Sequence, residues 1–135
     1  MMIETLIGKT IVLLNNVQMA HWQTTSYSQH EALGEFYNKM NELNDKLVET
    51  WQGNQNKRIH IESGQNTIQN FTDIEHTNSE IVQYGQDIAQ TSYDISQKND
   101  MRQFEDIKAV LEEMAQQVSQ TLYLLSLKLM LILKN

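Results

Sequence analysis

Not one proline interrupts these 135 residues, and only five glycines do. Proline and glycine are the residues that most strongly end helices, so a chain without them is free to run long ones. The remaining residues include many Glu, Gln, Lys, Leu and Met, which lose little side-chain freedom in a helix. An all-α fold is therefore expected. The length suits one domain with one core, spanning residues 1–135.

Four segments carry helical periodicity. Ile3, Leu6, Ile7, Thr10, Leu14, Val17 and His21 fall on one face at steps of three and four. Leu33, Phe36, Tyr37, Met40, Leu43, Leu47, Val48 and Trp51 do the same over about five turns. Between these two stripes Gln23–Tyr27 breaks the period, and Ser28 with Glu31 has the spacing of a capping box. Gly53 is expected to end the second helix and to open a polar loop to about residue 65. A third stripe takes in Ile68, Phe71, Ile74, Ile81, Val82, Ile88, Ala89 and Ile95. After a turn near Lys98-Asn99-Asp100, a fourth runs from Ile107 through Val110, Leu111, Met114, Val118, Leu122, Leu125 and Leu129 to Ile132. These pack most simply as an antiparallel four-helix bundle. The last helix becomes apolar on every side beyond Leu122, which calls for a second subunit against it.

Charge and composition exclude several functions. A net charge of -7 repels phosphate backbones, so nucleic acid is not an expected partner. The most apolar stretch, Leu122–Leu133, is shorter than the roughly 20 residues a spanning helix needs. With no signal-peptide pattern at Met1-Met2-Ile3-Glu4, a cytoplasmic protein is expected. No cysteine is present, so any metal must be held by His, Asp or Glu.

A second, polar stripe follows the second helix: His30, Gly34, Asn38, Asn41, Asp45, Glu49 and Gln52. Asp45 and Glu49, four residues apart, can close on one cation, and His30 supplies a nitrogen. His30 and Asp45 nevertheless stand about 22 Å apart along a helix rising about 1.5 Å per residue. One chain cannot bring them together. Two copies of the helix packed antiparallel about a twofold axis near Asn38 can, with Gly34 allowing close approach of the backbones. His21, just before the reversal, then joins His30. The candidate set is His21 and His30 from one subunit with Asp45 and Glu49 from another, a donor set suited to iron, manganese or zinc.

The run His21-Trp22, His30-Glu31 and Asp45-x-x-x-Glu49 resembles the ferroxidase signature of the Dps-type miniferritins, small phage-encoded relatives among them. The resemblance covers residues 10–53. It implies a ferritin-like four-helix subunit in a hollow, often twelve-membered homo-oligomer, with di-iron sites across twofold interfaces that oxidise ferrous iron with peroxide or oxygen. The chain departs from that pattern in the nine-residue spacing of its histidines, in the loop after the second helix, and in Gly34 where an acid is expected. Glu31 or Glu35 stands nearby as a substitute. The Lys-rich tail with which some members bind DNA has no counterpart. His60 and His76 lack spaced partners and are read as surface residues, and Trp22, Tyr27, Tyr37 and Trp51 as packing residues. The alternative reading is a non-enzymatic bundle for assembly, or for binding a protein partner or small ligand.

Overall fold

The structure is a computed structural model. It describes the backbone of residues 1–62, 68–98 and 104–134, and side chains of the last helix as far as Leu127. Four helices make it up: α1 (Ile3–Gln23), α2 (Tyr27–Gln55), α3 (Ile74–Ser96) and α4 (Glu105–Lys134). No strand occurs among the described residues. The turn expected at Asn99-Asp100 and the side chains of Leu129 and Ile132 lie outside them.

The helices form an all-α antiparallel four-helix bundle. α1 packs against α2 and α3, and α4 packs against the same two, so α1 and α4 stand on one diagonal and α2 and α3 on the other. Chain direction follows from the contacts. Lys46 of α2 pairs with Glu113 of α4, and near its end α2 shares a pocket with the start of α4, where Gly53 lies by Asp106. Along α1 and α3, Thr10 bonds Tyr84, Lys9 pairs with Asp87, and the Met1 ammonium pairs with Asp94. Every neighbouring pair is therefore antiparallel, and the diagonal helices α2 and α3 run the same way.

That arrangement requires the α2–α3 connection to travel the length of the bundle, and its anchors trace the route. Ile59 N–H donates to Gln52 Oε1 at 2.9 Å, just after α2 ends. Ile61 then lies over Gly8, where a Cβ would stand 3.5 Å from Ile61 Cγ2. Further on, Gln69 N–H donates to Asn16 Oδ1 and Phe71 N–H to Gln23 Oε1, at the far end of α1. Gln23 Nε2 also donates to Asn70 Oδ1 at 3.0 Å. Polar side chains of α1 thus satisfy the backbone N–H groups of Gln69 and Phe71, which lie outside any helix.

The core lies where the four stripes meet. Leu6, Ile7, Val17, Leu33, Phe36, Met40, Leu47, Ile81, Ile88, Ile107, Leu111 and Met114 are all essentially inaccessible. A Cβ at Gly85 would approach Val118 Cγ1 to 3.1 Å, so the missing side chain lets α3 and α4 close up.

Helix ends differ from the expected ones in three places. α2 is capped by Ser26, whose Oγ accepts from Gln29 N–H at 3.3 Å, and Ser28 lies inside the helix. Thr24 Oγ1 completes the turn by accepting from Ser26 N–H and donating to Gln29 Oε1. At the other end α2 continues through Gly53 and stops at Asn56, which takes the left-handed conformation with φ 53°. α3 begins only at Ile74, capped by Asp73, so Ile68 and Phe71 belong to the crossover.

Candidate metal site

His21 lies in the last turn of α1, and the reversal through Thr24 and Ser26 is short enough to return His30, in the first turn of α2, to its side. The two imidazoles stack with centroids 3.9 Å apart and planes 12° from parallel. His21 Nδ1 lies 2.7 Å from the backbone oxygen of His30, and His30 Nδ1 lies 2.7 Å from that of His21. A carbonyl only accepts, so each Nδ1 is the donor. In the neutral rings this leaves a lone pair on both Nε2 atoms. Such a backbone bond at Nδ1 is how metal-ligating histidines are commonly oriented. Both rings are half-buried and Tyr27 leans against His30, its centroid 6.5 Å away.

Gly34 has a different role from the one expected of it. A Cβ built there would stand 2.7 Å from Cε1 and 3.0 Å from Nδ1 of His21. The space left by the missing side chain is taken by the His21 ring of the same chain, one helical turn along from His30. This contact joins residues of two helices and has no local signature, so sequence reading missed it.

Asp45 and Glu49 lie further along α2. Both are exposed, and neither has an ion-pair partner among the described residues. The structure thus brings His21 and His30 together and leaves Asp45 and Glu49 apart from them. No group of three His, Asp or Glu side chains placed to hold a metal ion occurs among the described residues. Of the substitute acids, Glu31 is exposed and Glu35 Oε1 is paired with Lys39 Nζ at 3.0 Å. His60 is exposed, and His76 Nε2 lies 3.4 Å from Glu80 on the surface of α3.

Aromatic packing divides. Trp51 is buried and Tyr37 half-buried, whereas Trp22 and Tyr27, either side of the reversal, are 62% and 76% exposed. The exposure of these two rings departs from the packing role expected of them.

A family of unknown function (DUF5856) matches residues 21–125. The chain belongs to that family. The DUF5856 match begins at His21 and takes in His30, Gly34, Asp45 and Glu49. No curated protein and no solved structure matches the chain. No described helix is long and apolar enough to cross a membrane.

Proposed function

We propose that this chain is the subunit of a ferritin-like, Dps-like homo-oligomer that binds iron at sites shared between subunits and oxidises it from the ferrous state. The observation that carries this reading is the reciprocal clasp of His21 and His30. Each Nδ1 is engaged by the other residue's carbonyl, which leaves the Nε2 lone pair of each neighbouring ring free to meet a cation. Two nitrogens are too few to hold iron tightly, and Asp45 and Glu49 supply the missing oxygens from a second α2. The donor set suits Fe²⁺, Mn²⁺ or Zn²⁺, with hard carboxylates and borderline imidazoles and no thiolate. Three further features support the reading. One crossover running the length of a four-helix bundle is the connectivity of ferritin-like folds. Trp22 and Tyr27, exposed beside the histidines, are the residue types enriched at protein interfaces. A net charge of -7 favours cations over anions around the assembly.

Each ferrous ion oxidised gives up one electron, so one hydrogen peroxide and two protons consume two ferrous ions and leave two waters. The test is to add Fe²⁺ anaerobically, admit oxygen or peroxide, and follow ferric absorbance together with oligomer mass by light scattering. Rapid oxidation by a large assembly, lost in His21→Ala and in Asp45→Ala, is the expected result. A protein that neither binds nor oxidises iron would instead be a bundle for assembly or partner binding.

A further inference from the structure

We propose that the cavity at the end of the bundle opposite His21 and His30 binds a small organic acid, an apolar chain that ends in a carboxylate. α1 begins there, α2 and α3 end there, and Phe104 leads into α4. These segments enclose a cavity of about 460 Å³, within the range of roughly 300–1,000 Å³ common for small-molecule sites. Ile3, Trp51, Ile95 and Phe104 give it apolar walls, and the first three are buried. Such walls favour a hydrocarbon chain over water. Nothing in this site depends on the metal reading above.

Charge at the rim sets the other end of the ligand. Lys57 and Lys98, both exposed, line the cavity, and neither pairs with a carboxylate among the described residues. Each ammonium stands over an aromatic wall instead: Lys57 Nζ is 5.4 Å from the Trp51 ring centroid, and Lys98 Nζ is 6.0 Å from that of Phe104. The quadrupole of a ring holds a cation in place without cancelling its unit charge. Asp94, one turn before Lys98 on α3, would be the natural partner, but it is held by the Met1 ammonium and by Gln90 Nε2. Glu4 is the other acid lining the cavity. With Asp94 and Met1 cancelling, two lysines against Glu4 leave the rim net positive, in a chain whose net charge is -7. A carboxylate whose chain lies along the apolar walls meets these cations at the mouth.

Octanoate serves as the probe, with octanol as its uncharged counterpart, each titrated into the purified protein by calorimetry. Octanoate should bind about tenfold more tightly than octanol or better, the worth of one hydrogen bond to a charged group. Lys57→Met/Lys98→Met should remove that preference while both compounds still bind. In protein labelled with fluorotryptophan, octanoate should shift the fluorine signal of buried Trp51 and leave that of Trp22, at the opposite end of α1, in place. No octanoate binding, or equal affinity for the alcohol, would overturn the proposal. So would a preference that survives the double variant, which leaves the lysines only the role of complementing the C-terminal ends of α2 and α3. A shift of Trp22 alone would put the ligand at the other end of the bundle and overturn the assignment of this cavity.

Discussion

Inside the bundle, Tyr84 of α3 places its hydroxyl 2.6 Å from Thr10 Oγ1 and 3.6 Å from Met40 Sδ. Thr10 spends its own proton on Leu6 O at 2.8 Å, so Tyr84 is the donor of the pair. The phenol is almost fully buried, and burial pushes its pKa well above the ordinary 10.0, with the Asp87 charge acting in the same direction against the Thr10 bond. The unfolded chain then releases this proton at lower pH than the folded one. Stability from Tyr84 is complete below about pH 10 and falls as pH rises beyond it, because only the unfolded state ionises readily there. Urea unfolding at pH 8 and pH 11 should show a smaller loss for Tyr84→Phe than for wild type. At pH 8 the same variant should cost about 1 kcal/mol, the worth of one neutral hydrogen bond. An equal alkaline loss in both proteins would contradict this. One turn along α2 from Met40, Asn44 keeps a buried Oδ1 with no hydrogen-bond partner among the described residues, and we have no physical account of it.

At the scale of elements, the four helices were legible because a 3.6-residue period repeated over many turns outweighs any local ambiguity. Their ends were not. Ser26 and Ser28 compete for one cap, and spacing alone favoured Ser28 because Glu31 follows it. What decides is backbone geometry: Ser26 is extended, with φ -97° and ψ 121°, and Thr24 reinforces it from outside the helix. Ser26→Ala should therefore cost about 1 kcal/mol in chemical unfolding, and Ser28→Ala only a few tenths. A reversal of that order would restore the sequence-based cap. Gly53 misled for a related reason. Glycine costs a helix interior only about 1 kcal/mol, which the buried stripe through Leu47 and Trp51 outweighs, and Asn56 can supply the left-handed turn. At the candidate site, the proximity of His21 and His30 followed from a short reversal between two helices. The seat of His21 on Gly34 did not, since a pairing between helices leaves no trace in either one's periodicity.

For the whole molecule, the proposed function turns on the separation of the histidines from Asp45 and Glu49. Along one α2 the two halves stay about 22 Å apart whatever the side-chain rotamers, so the proposed site requires two chains. Trp22 and Tyr27, exposed beside the two histidines, are the surface from which such a pairing is proposed. The most direct test mixes two variants that are each defective, His30→Ala and Asp45→Ala/Glu49→Ala, by unfolding and refolding them together. In a twofold pair built from one of each, one site loses both halves and the other keeps both. Tight Co²⁺ binding absent from either variant alone should therefore return in the mixture, to at most about a quarter of the wild-type capacity when the variants pair at random. A mixture that binds no better than its components would contradict a site shared between subunits.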